Sequence, residues 1–259
     1  MLVSRQHIDQ YNRDGFFLLD HVLSDDQLEG LRGECSRFIQ AEDRRMDELG
    51  TDTRDLNFRG KRYFLGMPHR ESTVLTDFIF SPTMEELTRA VLGPDVWLYF
   101  TQYVVKGPEV GLKFAWHQDS AYIGHPHAPY LSCWIPLDDV TVENGTVYVL
   151  PYDRGGGRRL VEHSKDPELN DLVGYQGDDP GIPAILPAGG MAVFSSLTLH
   201  RSGPNTTPRM RRIYLIQYSP EPLMNKSGTG PFRDAIPFLK DGERIVNESL
   251  IPREVWVAT

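Results

Sequence analysis

The chain has 259 residues, a formal charge of −9 and 40% hydrophobic side chains, so it can bury a core without covalent staples. The acidic balance argues against a nucleic-acid or anionic-membrane surface. Local basic clusters at Arg59, Lys61 and Arg62, and at Arg154, Arg158 and Arg159, still leave room for an anionic substrate.

The opening residues lack the apolar stretch of a signal peptide. A short helix is expected over residues 4–14, closed by Gly15, and then an apolar strand from Phe16 to Leu19. Ser24 and Gln27 match a capping box, in which each side chain satisfies a backbone donor of the other. Leu28, Leu31, Cys35, Phe38 and Ile39 follow at helical spacing, and that helix is expected to run to about Leu49. Residues 50–66 are polar and charged and read as a long loop. Ser81 as N-cap and Pro82 at the first helical position start a third helix, which ends at Gly93.

After Gly93 the period becomes that of strands. β-Branched and aromatic runs at 96–106, 112–116, 130–137, 146–150, 191–194 and 212–219 are bounded by Gly, Pro and Asp turns. The tail after Gly228 carries no pattern. Helices followed by many strands indicate an α+β, mainly β chain with a double-sheet jelly-roll core and the N-terminal helices packed on one sheet. The expected organisation is a single domain over 1–259, with a helix-rich part (1–95), a jelly-roll core (96–220) and a tail (221–259). Cys35 and Cys133 are too few for a disulfide framework and read as reduced core residues. The apolar runs have strand length, far below the ~20 residues that span a bilayer. A cytoplasmic protein with no membrane or nucleic-acid partner, monomeric or homodimeric, is the expectation.

Chemistry concentrates at Phe114-Ala-Trp-His117-Gln-Asp119. On a strand, side chains at i and i+2 share a face, so His117 and Asp119 can reach one metal ion. A histidine nitrogen and a carboxylate at that spacing form two-thirds of a facial triad. The third ligand is expected to be a histidine on a distant strand, and His200 fits: it follows the apolar run 191–194 and opens the turn Arg201-Ser-Gly-Pro-Asn205. Three open positions then remain for an oxo-acid and dioxygen. Arg211 opens the next strand, which is expected to pair with the His200 strand, and its planar donor fork suits the distal carboxylate of 2-oxoglutarate. Arg209 and Arg212 make the same cluster, and spacing favours Arg211 over Arg212. His125 and His127 lie near His117 but in an irregular Gly-Pro segment, which reads as a lid or surface. His7, His21, His69 and His163 read as surface residues, and Glu143-Asn-Gly145 as a tight turn between strands.

The combined set resembles the phytanoyl-CoA dioxygenase family: Val105-Lys106-Gly-Pro108, His117-Gln-Asp119, Trp134, Glu143-Asn-Gly145, Leu150-Pro151, His200-Arg-Ser-Gly-Pro-Asn205 and Arg211. The resemblance spans about residues 10 to 220. It implies a double-stranded β-helix with Fe(II) held by His117, Asp119 and His200, 2-oxoglutarate as co-substrate anchored by Arg211, and O2. Lys106 and Trp134 match positions that contact 2-oxoglutarate in some members. Gln102, at even spacing from Lys106 on one strand, is a further candidate for that pocket. Pro151-Tyr-Asp-Arg154 departs from the family's usual Pro-Gly-Ser-His, so the substrate does not follow by analogy.

The implied reaction couples decarboxylation of 2-oxoglutarate to succinate and CO2 with hydroxylation, desaturation or cyclisation of a small molecule. Halide transfer would need the carboxylate position vacated, and Asp119 fills it. Two rivals predict differently. A zinc hydrolase on the same triad needs neither O2 nor 2-oxoglutarate, and a non-catalytic jelly-roll ligand-binding protein forms no succinate. The 50–70 and 121–130 segments and the Arg154–Arg159 loop are expected to shape the substrate site.

Overall fold

The computed structural model describes residues 1–108, 113–165, 172–245 and 251. Serines cap the first two helices, Ser24 as the sequence predicts. Ser4 caps α1 (Arg5–Asp14), which ends on Gly15 in the left-handed region. After β1 (Phe16–Leu19), the Ser24 hydroxyl accepts from the Gln27 N–H while the Gln27 side chain accepts from the Ser24 N–H, opening α2 (Asp25–Leu49).

Residues 50–66 are not the expected loop. They fold into three short strands, β2 (Thr53–Arg54), β3 (Asn57–Phe58) and β4 (Arg62–Gly66). The reason is one buried carboxylate. Glu42 on α2 is 2% exposed and accepts two hydrogen bonds from Arg54, at 2.9 and 2.6 Å, and one from Asn57 at 2.8 Å. That ties the charged hairpin to the helix, while Tyr63 and Leu65 alternate into the core. A further helix that sequence patterning missed, α3 (Thr73–Ile79), starts on Ser72, so the predicted Ser81–Pro82 start opens α4 (Pro82–Leu92).

The strands that follow are β5 (Val96–Lys106), β6 (Phe114–His117), β7 (Leu131–Pro136), β8 (Val147–Leu150), β9 (Ser164–Lys165), β10 (Leu172–Val173), β11 (Ile182–Pro183), β12 (Met191–Ser195), β13 (Leu199–Ser202) and β14 (Arg211–Ser219). Leu112, expected to start the β6 strand, lies outside the described residues. The tail is not wholly irregular: β15 (Ile236–Lys240) pairs with the start of β5 and with β16 (Glu243–Arg244). The large antiparallel sheet runs β1-β12-β7-β14-β5-β4-β3-β2, and the small one runs β11-β8-β13-β6. Together they form the jelly roll.

β14 shows how the layers sort. Tyr214, Ile216 and Tyr218 point outward and pack with Leu31, Cys35, Leu75, Ile79 and Leu87 from the helices. Arg211, Ile213, Leu215 and Gln217, on the opposite parity, point into the space between the sheets. A one-residue slip would exchange the two sets, so register here decides both core and site.

Removing the Glu42 carboxylate (Glu42→Ala) leaves Arg54 and Asn57 without their acceptor. The expected cost in urea unfolding is ~3 kcal/mol, in the range for breaking a buried ion pair.

Candidate active site

β6 and β13 are neighbours in the small sheet, and His117 and His200 are register partners with ring centroids 4.2 Å apart. Gln118 keeps extended dihedrals (φ −114°, ψ 134°), so Asp119 projects on the same side as His117 even though it begins a 3-10 turn over Asp119–Tyr122. The Nδ1 of His117 lies 2.8 Å from the Ala115 carbonyl, and that of His200 lies 3.0 Å from the Thr198 carbonyl. A carbonyl only accepts, so each Nδ1 donates, which makes Nε2 the ligand atom of the neutral ring. Those Nε2 atoms stand 3.8 and 3.5 Å from Asp119 Oδ1. Asp119 Oδ2 is held from the other sheet, by Ser132 Oγ at 2.7 Å and Gln217 Nε2 at 2.9 Å.

Ligand atoms of His117, Asp119 and His200 all lie within 4.8 Å of one another, the one such group among the described residues. Two neutral imidazoles and a carboxylate on one face, with the remaining directions opening on a cavity, are the donor set of non-haem Fe(II). His125 and His127 stay outside this group; His127 Nε2 instead lies 3.1 Å from Ser120 Oγ.

The cavity encloses about 490 Å³ between the sheets. Toward its other end Arg211 is 2% exposed and donates through Nη2 to the Gly145 carbonyl at 2.8 Å. Its Nε and Nη1 are buried with no partner among the described residues. Two unmade donors on a buried guanidinium are costly, and an incoming carboxylate would satisfy both. Burial pushes the Arg211 pKa down to about 10, partly offset by Asp138, so the side chain stays cationic at neutral pH. The Glu143–Gly145 turn is present as expected. At Gly145 (φ 81°) an added Cβ would sit 2.6 Å from the Gly203 carbonyl oxygen, so this turn requires glycine, and its carbonyl orients Arg211.

The other expected pocket residues divide. Trp134 and Gln102 line the cavity, and Arg211 lies over the Trp134 ring at 5.6 Å. Lys106 is the register partner of Arg211 on β5 but turns its Nζ to Ser202 Oγ at 2.8 Å and to the Gly203 carbonyl. Burial, and then the Arg211 charge, push the Lys106 pKa well down.

Three expectations are corrected. β14 does not pair with the His200 strand; it pairs with β5 and β7 in the large sheet, so Arg211 and His200 face each other from opposite layers. No cavity-lining residue comes from 154–159. Arg154 instead forms an ion pair with Asp179, and Arg158 lies over Tyr152. His69 is no surface residue: it is fully buried between Thr101 Oγ1 at 2.7 Å and Asp234 Oδ2 at 2.9 Å. His163 is half-buried and accepts from the Gln118 N–H. The 50–70 and 121–130 segments do reach the cavity, through Leu56, Phe64, Tyr122 and Tyr130.

The chain matches the phytanoyl-CoA dioxygenase family over residues 11–213. It belongs to that family. It is thus a 2-oxoglutarate-dependent non-haem iron dioxygenase, which uses Fe(II) and O2. Among family relatives it is 26% identical to ectoine dioxygenase of Bordetella parapertussis, over 88% of this chain and 80% of that one. It is 27% identical to L-proline trans-4-hydroxylase of Streptomyces griseoviridis, over 81% and 84%. The fold matches EvdO2 of Micromonospora carbonacea var. aurantiaca, solved with 2-oxoglutarate (TM-score 0.66, 23% identity, 83% of this chain and 90% of that one). It also matches the carbocyclase SnoK from nogalamycin biosynthesis (TM-score 0.67, 17% identity, 91% and 95%).

Ser132, Gln217, Phe232 and Arg233 were not anticipated as site residues. Parity could have found two of them, because Gln217 shares the inward set of Arg211 and Ser132 that of Trp134. Replacing Gln217 by Leu frees Asp119 Oδ2 from its amide donor. Metal affinity is expected to fall roughly 10- to 100-fold, as for outer partners of metal ligands, in a Co(II) titration of the variant.

Proposed function

We propose that His117, Asp119 and His200 hold Fe(II), that Arg211 binds the distal carboxylate of 2-oxoglutarate, and that the enzyme hydroxylates a small molecule while releasing succinate and CO2. Desaturation or cyclisation of that molecule would use the same site. The observation that carries the reading is the pair of unsatisfied Arg211 donors in the same cavity as the three clustered ligands. A zinc hydrolase would leave those donors unexplained. The relatives' names point the same way, since ectoine and L-proline are small polar molecules and SnoK comes from nogalamycin biosynthesis.

When bound, iron supplies the redox chemistry that converts 2-oxoglutarate and O2 while the substrate is oxidised. The chain's own residues position and exclude. Nδ1–H bonds to Ala115 and Thr198 aim both histidines, and Ser132 and Gln217 aim Asp119. Arg211, oriented by the Gly145 carbonyl, sets where the co-substrate's far end rests. Val104, Phe114, Trp134, Phe194, Ile213 and Leu215 line the wall between these poles. They keep water from competing for Arg211, which strengthens its pairing with a carboxylate.

Under anaerobic titration with Fe(II) and 2-oxoglutarate, the wild type is expected to develop the charge-transfer absorbance of a chelated oxo-acid. Asp119→Ala should lose it together with succinate release; wild-type turnover by that variant would show the ligand assignment to be wrong. Arg211→Ala should keep metal binding and raise half-saturating 2-oxoglutarate by roughly 10- to 100-fold, the worth of a charge-assisted hydrogen bond.

A further inference from the structure

The cavity's charges do not balance. Asp119 is the one carboxylate among its lining residues, against three arginines, Arg201, Arg211 and Arg233. On the reading above, a divalent metal and dianionic 2-oxoglutarate cancel each other, and Asp119 cancels Arg211. Arg201 and Arg233 are left over. Arg201 already has partners: its guanidinium donates to the Pro180 carbonyl at 2.9 Å and lies 4.0 Å over the Tyr148 ring. Arg233 makes no ion pair among the described residues. Its guanidinium hydrogen-bonds Tyr99 and stands 4.5 Å from the Phe100 ring centroid, and the remaining donors of its five-donor fork are open to a ligand.

Its position separates it from the co-substrate anchor. Phe100 is the register partner of Gln217, whose amide holds Asp119, whereas Arg211 pairs with Lys106 at the other end of the same two strands. Six residues divide Gln217 from Arg211 along β14, about 20 Å at the rise of an extended strand. Arg233 therefore approaches the cavity from its metal end, opposite to Arg211.

Its backbone is fixed on both sides. Phe232 stacks on Tyr99 at 6.4 Å and donates its N–H to the Leu223 carbonyl. Asp234 is buried and held by His69 at 2.9 Å and by Arg70 Nη2 at 2.6 Å. Burial alone would raise the Asp234 pKa, but these two bonds outweigh it and keep the carboxyl ionised. Arg233 itself is exposed and lines the cavity. A backbone held on both sides lowers the cost of ordering its long side chain on a ligand.

We infer that Arg233 anchors an oxyanion, carboxylate or phosphate, on the substrate, whose apolar body rests against Tyr99, Phe100 and Phe232. The substrate class is then a small molecule with an anionic head and a hydrophobic or cyclic body. This inference rests on the proposed metal and 2-oxoglutarate assignment.

The test loads the full chain with Ni(II) and 2-oxoglutarate, which gives a redox-silent complex, and measures ligand binding by calorimetry. Probes are monocarboxylates and monophosphates on ring bodies, from benzoate and phenyl phosphate to 3-phenylpropionate, each beside its neutral amide or alcohol. Wild type is expected to bind members of one oxyanion set roughly 10- to 100-fold more tightly than their neutral counterparts, the worth of charge-assisted hydrogen bonds. Which set gains identifies the head group. Arg233→Gln should erase the preference and leave 2-oxoglutarate affinity unchanged, and Arg233→Lys should keep part of it. Intact 2-oxoglutarate uptake with no oxyanion preference in wild type overturns the anchor alone. So does a preference that survives in Arg233→Gln, or an oxyanion that displaces 2-oxoglutarate. Failure of wild type to take up 2-oxoglutarate removes the underlying assignment and the anchor with it.

Discussion

The two oxygens of Asp119 face different halves of the molecule. Oδ1 looks to His117 and His200 on the small sheet, while Oδ2 is gripped by Ser132 and Gln217 on the large one. One carboxylate thus registers the layers against each other at the point where chemistry is expected. Asp119 begins a 3-10 turn, so its chain is free to leave the small sheet while its side chain remains between the two. Everything else about the site follows from that crossing. The histidines are preset by their own backbone carbonyls, and Asp119 by side chains from across the barrel.

Arg211 repeats the theme in the opposite direction. It is mounted on the large sheet, yet its one hydrogen bond goes to the turn carbonyl of Gly145, which leads into the small sheet. The cavity therefore has a braced residue at each end, and each brace spans the two layers. Lys106 beside Arg211 places two cationic side chains on adjacent strands in a buried setting. The Lys106 bonds to Ser202 and Gly203, and its lowered pKa, relieve that crowding.

Much of this was legible in the sequence because period carries register. Even spacing on β5 pointed to Gln102, the family resemblance to Trp134 and, with its planar donor fork, to Arg211, and the His-x-Asp spacing brought His117 and Asp119 to one side. What period does not carry is which strands become neighbours. The expected pairing of the Arg211 and His200 strands failed for that reason, since consecutive strands of a jelly roll pass to opposite layers. Charge patterning misled twice more. The polar 50–66 stretch formed strands because Glu42, far away on α2, neutralises Arg54. The basic run at 154–159 looked like a substrate feature, yet Arg154 had a local partner in Asp179. Arg233 was invisible for the converse reason: it sits alone in a segment with no period, and only the fold brings it to the cavity.

The wall that carries Phe232 and Arg233 is fastened by contacts separate from those that set the metal ligands. His69 and Arg70 hold it through Asp234, and Leu223 holds it through the Phe232 backbone. The bonds described for His117, Asp119 and His200 come instead from Ala115, Ser132, Gln217 and Thr198. The segment can therefore be rewritten without retuning the metal centre. A change of two or three side chains there alters what is admitted while the oxidising machinery stays as it was. Such a separation lets one scaffold diversify by exchanging a short cassette near the end of the chain, and it marks residues 223–234 as the place to redirect this enzyme toward a different molecule.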